Sequence, residues 1–250
     1  MQNHAPKPSQ SPFQETPMSA SSGDTKPFDP FELTAAILLG IGAIGASLAG
    51  HQEGLWGGQS VEGYGEASAM TTKASSTFND ELTIYMQDTQ MDVRAKELIW
   101  EGMETDSAAQ DRLLGMANWM LLSQISEHAY EHLQLPVEKR KKYWDGDEEV
   151  TLTHDELALA LESELAQDYV DKVFAASEAE FAAADKRFNE GRDANNKGDL
   201  FSLAGVILTV ALFFAGISLV FKTRMRWGFL GVGTIVLISG LGYMSTLTWA

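Results

Sequence analysis

The chain has 250 residues, 18 Lys and Arg against 35 Asp and Glu, and a formal net charge of −17 at pH 7. It has no cysteine, which excludes disulfides, thiolate metal sites and cysteine nucleophiles. The acidic balance also disfavours nucleic acid, whose phosphates require Lys and Arg. The mean hydropathy of −0.13 averages two unlike parts, because residues 51–199 carry 31 of the 35 acids and 13 of the 18 bases, a net −18.

Residues 1–30 are rich in Pro, Ser, Thr and Gln, with few large apolar side chains. Such a segment cannot bury enough surface to offset its ordering entropy, so a disordered cytoplasmic tail is expected. A first apolar run, Leu33–Gly50, lies inside an expected transmembrane helix at 31–50. Its Gly42, Ala46 and Gly50 recur every four residues, a small-xxx-small face suited to close helix packing. Two other readings share these residues: Ser47-Leu48-Ala49 has the form of a signal-peptidase site, and a glycine-rich run fits a buried helix of a soluble protein. The acidic flank of Asp24, Asp29 and Glu32 argues against a cleaved signal, which carries a basic one.

The middle, 51–199, reads as an acidic helical domain. From Gln59 to Glu104 there is no proline, and Ala74, Phe78, Leu82, Tyr85, Thr89, Val93, Lys96, Trp100 and Met103 recur at helical steps. Ser107–Leu135 reads as a second helix with Leu113, Met116, Ala117, Met120, Leu121 and Ile125 on one face, ended by Pro136. Thr153 to Glu156 has the form of a capping box opening a long return helix to Lys197. There Phe174, Phe181 and Phe188 at steps of seven, with Ser177 and Ala184, suggest a coiled-coil-like seam. Each long helix would reach about 65–70 Å, so an antiparallel stalk with Ser107–Trp144 at its tip is expected. Two helices alone cover little apolar surface, which points to a homo-oligomer.

Two further runs, 200–221 and 227–249, contain no acid and flank a basic loop at 222–226 holding Lys222, Arg224 and Arg226. Each is long enough to cross a hydrocarbon core of about 30 Å as a helix. Basic short loops stay in the cytoplasm, so the amino-terminal tail is expected inside and the acidic middle and carboxyl terminus outside. Trp227 and Trp249 bracket the last run at the two interfaces that indole rings prefer. The expected fold class is thus an all-α integral membrane protein of the inner membrane. Three transmembrane helices would carry a long antiparallel extracytoplasmic domain.

Two constellations suggest chemistry. His128-Ala129-Tyr130-Glu131-His132 matches the H-x-x-E-H pattern of inverted zinc peptidases, and helix spacing puts His128 and His132 on one face. The competing reading is two polar residues at the solvated end of an amphipathic helix. Asp145, Asp147, Glu149 and Glu156 fall where an EF-hand loop places oxygen ligands, with Leu152 at the apolar eighth position. Val150 stands where that loop needs glycine, and the capping box accounts for Glu156 without an ion. Lys139-Arg140-Lys141-Lys142 is a basic cluster in an acidic domain and is expected to pair with the acids after Trp144. No phosphate-binding glycine loop, nucleophile elbow or serine triad is visible, and no cofactor is implied.

His51-Gln52-Glu53-Gly54-Leu55-Trp56-Gly57-Gly58-Gln59, followed by Tyr64 and Glu66-Ala67-Ser68-Ala69, resembles the segment after the first span in a group of small bacterial three-span membrane proteins. The likeness covers residues 33–105 in motif and the remainder in layout. It implies one amino-terminal span, a helical middle and a closing hairpin, with no activity attached. Trp56 and Gln59 would then lie near the outer interface. The function expected is non-enzymatic: assembly or scaffolding in the lipid bilayer through the stalk, with a protein partner of unspecified kind. The alternatives are a small channel or transporter subunit, a membrane sensor and, remotely, the zinc peptidase.

Overall fold

The computed structural model describes residues 29–105, 108–146 and 149–250. The expected tail, apart from its last two residues, and Asp147 of the acidic loop lie outside these. Among the described residues the chain is helical throughout, with no strand.

Helix α1 (Pro30–Glu104) is unbroken for 75 residues, about 110 Å at 1.5 Å per residue. Asp29 starts it by accepting the Phe31 N–H at 2.9 Å, and Pro30 takes the first-turn position where its missing N–H costs nothing. Helix α6 (Gln167–Val220) returns beside it. Partners step in opposite directions along the two helices: Tyr85 stacks on Tyr169, Thr77 donates to Glu180, Gly63 touches Gly191 and Gly42 faces Leu212. The pair is therefore antiparallel. The short helix α7 (Met225–Ser245) folds back against α6 after a turn at Phe221–Arg224.

Burial along α1 repeats at three and four residues from Phe31, Ala35, Leu38, Gly42, Gly45 and Ala49 to Ala95, Leu98, Ile99 and Gly102. In the stalk the buried positions are mostly small. On α6 they are Ser177, Ala184, Gly191 and Gly198, seven apart. Phe188 is 48 % exposed and tilts onto Tyr64, while Phe174 rests on Phe78 and Tyr85 at the side of the seam. The phenylalanines flank a small-residue seam instead of filling it, because two backbones in near contact leave no room for a ring. A Cβ on Gly63 would stand 2.8 Å from Gly191 Cα.

Among the described residues three helices, α1, α6 and α7, hold stretches long and apolar enough to cross a membrane, and these pack together at one end of the molecule. Phe31, Ala35, Leu38, Phe201, Ala204, Leu208, Leu230 and Leu237 form that core. Gly42 and Gly45 admit Leu212, Leu208 and Leu241, whereas Gly50 has nothing within 4 Å of where a side chain would begin. Ile37, Ile44, Val206, Phe213, Ile235 and Ile238 point outward and are at least half exposed. At the turn end, Arg226 pairs with Asp29 at 3.2 Å and lies 4.3 Å over the Phe31 ring, whose edge meets Trp227. At the other end, Trp56 Nε1 donates to the Thr248 carbonyl and Gln52 accepts the Ala250 N–H.

The far end of the stalk widens into a head built from α2 (Ala108–Trp119), a π turn (Met120–Gln124), α3 (Glu127–His132), α4 (Val137–Trp144) and α5 (His154–Glu162). Its core joins Leu98, Ile99, Leu121, Leu122, Tyr130, Leu133, Leu157 and Tyr169. The expected helix Ser107–Leu135 is interrupted at Ile125, and the expected helix Thr153–Lys197 at Ser163–Ala166; both breaks have side-chain causes given below. The capping box at Thr153 is formed, with Thr153 Oγ1 accepting the Glu156 N–H and Glu156 accepting the Thr153 N–H. Replacing Thr153 by alanine is expected to cost about 1 kcal/mol, measured as a shift in the denaturant midpoint.

Candidate functional site

The residues with the most distinctive environment lie where the stalk enters the head. Asp88 is 1 % exposed, on the face of α1 that looks at α6. Its carboxylate accepts the Ser126 N–H at 2.6 Å, the Ser126 hydroxyl at 2.5 Å and the Tyr169 hydroxyl at 2.5 Å. The Ser126 oxygen in turn caps α3 by accepting the Ala129 N–H. Arg140 from α4 donates to the Ile125 and Ser126 carbonyls, and Gln87 to the Gln124 carbonyl. The ladder is broken at Ile125, whose carbonyl goes to Arg140 while the Ala129 N–H goes to the Ser126 side chain. The Ser126 carbonyl still accepts the Tyr130 N–H of α3, and the last turn before the break widens to i→i−5 bonding from Ile125 N–H to Met120. Such π turns recur at functional sites. Beside it is a cleft of about 220 Å³ lined by Ile84, Gln87, Asp88, Ser123, Gln124 and Ser126.

One turn further along α1, Asp92 is 7 % exposed. One of its oxygens accepts from Lys96 Nζ at 2.8 Å, and the other is buried with no hydrogen-bond partner. Lys96 also donates to the Ser163 carbonyl, which a continuous helix would offer to Gln167. That capture is the reason α5 and α6 are separate. Burial pushes the Asp92 carboxyl above its usual range; Lys96 offsets part of this, and the neighbouring Asp88 charge adds to it. Two turns before Asp88, Glu81 accepts the Ser177 N–H with one oxygen and leaves the other buried and unpartnered. Burial raises the Tyr169 hydroxyl, and its bond to Asp88 raises it further; burial brings Tyr130 up to about 12. Both tyrosines stay neutral donors, Tyr130 to the Pro136 carbonyl.

The residues singled out by motif sit elsewhere in the head. His128 is exposed on α3. His132 is half-buried against the Tyr169 ring, with Nε2 accepting the Ala166 N–H at 3.4 Å and Nδ1 3.7 Å from Asp168. Glu131 pairs with Lys172. The two histidines share a helix, but His128 faces solvent while His132 packs on Tyr169. Asp145 and Glu149 are exposed, and Glu156 is occupied by the Thr153 N–H and by Lys139 at 2.6 Å. Burial works against the Glu156 charge, but the bonds from Lys139 and Thr153 outweigh it and hold the carboxyl below its usual range. No group of three His, Asp or Glu side chains converges to hold a metal among the described residues. Within the basic cluster, Lys139 and Arg140 are engaged inside the head, while Lys141 and Lys142 are exposed.

Trp56 and Gln59 line a groove of about 550 Å³ at the base of the stalk with Glu62, Arg187, Asp193 and Lys197. Trp56 is 8 % exposed, and Lys197 Nζ lies 4.3 Å over its ring. Periodicity could not flag Asp88, Asp92 or Glu81, because acids at seam positions look like a gap in an apolar stripe. The one available signal was their placement: Glu81 and Asp88 fall seven residues apart in phase with Ala67, Ala74 and Ala95. Set against family models, curated proteins and solved structures, the chain matches none of them.

Proposed function

We propose that the chain is a non-enzymatic integral membrane protein of the inner membrane. In this reading three spans anchor an acidic extracytoplasmic stalk and head, which act by self-assembly or by holding a protein partner. The observation that carries this is the outward-facing girdle of Ile37, Ile44, Val206, Phe213, Ile235 and Ile238 around the three-helix end. In water so large an apolar surface would drive aggregation; in lipid it is the required exterior. Lys222, Arg224 and Arg226 at the α6–α7 turn support a cytoplasmic position for that turn and an outside position for the head.

Leu33–Gly50, Leu200–Phe221 and Trp227–Trp249 hold no Asp, Glu, Lys, Arg or His, which speaks against an ion or proton pathway through the spans. A second reading, a membrane sensor, is favoured by one feature: α1 and α6 each continue from the apolar end into the head without a break. Movement in the head would therefore reach the spans through stiff connections.

A periplasm-active reporter fused after Ala250 is expected to be active, and one placed in the 222–226 turn inactive. The reverse pattern, or recovery of the protein in the soluble fraction without detergent, would overturn the reading. Crosslinking in native membranes is expected to give a ladder of homo-oligomers or one discrete partner band; monomer alone would remove the assembly role.

A further inference from the structure

We propose that Asp92 is a proton-binding site that controls, through Lys96, the junction between α5 and α6. The inference is independent of the membrane reading and concerns the head alone.

The geometry is a three-membered relay. Asp92 sits in the wall between α1 and the α5–α6 connection, with one oxygen on Lys96 and the other enclosed without a donor. Lys96 bridges it to the Ser163 carbonyl, the point at which the α6 ladder is kept from extending into α5. Buried carboxylates are normally paired or fully hydrogen-bonded, as Asp88 is here by three donors. Asp92 is paired through one oxygen only, and its free oxygen is the one place in the relay where a proton can be added without removing an existing bond.

Two charged groups act on it directly, Lys96 and Asp88 of its own helix. Beyond them, His132 of α3 stacks on Tyr169 of α6, and Arg140 of α4 lies near enough to Asp88 for the charges to interact. Helix α5 turns Leu157 and Ala160 inward, and α2 turns Leu114 and Ala117 inward with Asp111 and Arg112 exposed. A proton from solvent on the free Asp92 oxygen forms one O–H bond and neutralises the carboxylate. Lys96 loses its counter-charge, so its bond to Ser163 and the first turn of α6 are rebalanced.

The sign follows from burial. The folded protein holds the Asp92 proton at a pH where the unfolded chain has already released it. The contribution of this group to stability is therefore greatest at low pH and declines as pH rises through the folded value. Asp92→Asn imitates the protonated form.

The test uses the full-length protein in detergent over a pH series from about 8 down to about 4, the ordinary aspartate range. The variant is expected to be more stable than wild type at the higher pH, with the gap closing at the lower. Amide exchange at Gln167–Val170 is corrected for intrinsic rate and read in a His132→Gln background, which removes the imidazole that holds the Ala166 N–H. It is expected to change at least about threefold across the pH series when Asp92 is present and to stay flat when Asn replaces it. Parallel profiles for the two proteins would overturn the proposal. Should the variant fail to fold, infrared difference spectra of wild type with isotope-labelled aspartate decide the matter. A protonated-carboxyl band gained on acidification supports the site, and its absence overturns it.

Discussion

Asp88→Ala is expected to destabilise the head by about 3–5 kcal/mol. Three donors converge on this carboxylate, and hydrogen bonds to a charged acceptor contribute about 1.5–3 kcal/mol each. Alanine leaves the Ser126 N–H and the Tyr169 hydroxyl without their acceptor, and Tyr169 is fully buried in the head core. The Ser126 cap of α3 then loses its orientation, and the break at Ile125 loses the anchor opposite Arg140. Asp88→Asn keeps one acceptor oxygen but presents an amide donor to groups that are themselves donors, so an intermediate loss is expected. Chemical denaturation followed by near-ultraviolet circular dichroism, which reports the packing of Tyr130 and Tyr169, would measure both. Equal midpoints for wild type and Asp88→Ala would show that the network is dispensable.

Gly63→Ala is expected to cost at least about 2–3 kcal/mol, although alanine is the better helix former. The added methyl would lie 2.8 Å from Gly191 Cα and 3.0 Å from its nitrogen, and neither backbone atom can rotate away. The two helices must separate locally, which also loosens Ser60 and Ala67 from the α6 seam. Gly58→Ala supplies the control. Nothing lies within 4 Å of its added carbon, and the same replacement there should stabilise by about 0.5–1 kcal/mol through helix propensity. Opposite signs for two substitutions five residues apart in one helix would identify contact, not propensity, as the determinant. Thermal melts of the detergent-solubilised protein provide the comparison.

The apolar segments were legible because their signal is local: some twenty residues without a charge can be read without knowing what packs beside them. The capping box at Thr153 was legible for the same reason, since its partners lie three residues apart. The two helix breaks in the head were not. Nothing near Ile125 or Ser163 in sequence forbids a helix; the acceptors are withdrawn by Arg140 and Lys96, which arrive from other elements. The stalk seam was misjudged in phase. Phe78, Val93 and Trp100 carry the hydrophobic periodicity yet are exposed, at 39 %, 52 % and 60 %, while the buried line runs through Ala67, Ala74, Glu81 and Asp88. Hydrophobicity ranks side chains by transfer from water, whereas a close backbone crossing selects by size. Of the motif residues, the H-x-x-E-H spacing placed His128 and His132 on one helix but could not anticipate that Tyr169 and Ala166 occupy His132.

The clasp between the two ends of the chain sets an order of events during synthesis. Asp29 meets Arg226, Gln52 meets Ala250 and Trp56 meets Thr248, pairs separated by 197, 198 and 192 positions. At roughly 5–20 residues per second, the first greasy segment leaves the ribosome some 10–40 s before its last neighbours exist. For that interval it has neither α6 nor α7 to cover Gly42 and Gly45. In the membrane reading proposed above, the nascent chain parks this helix in lipid or against an insertion factor. Slowing translation between codons 50 and 200 should lengthen the window in which a quality-control protease can find it.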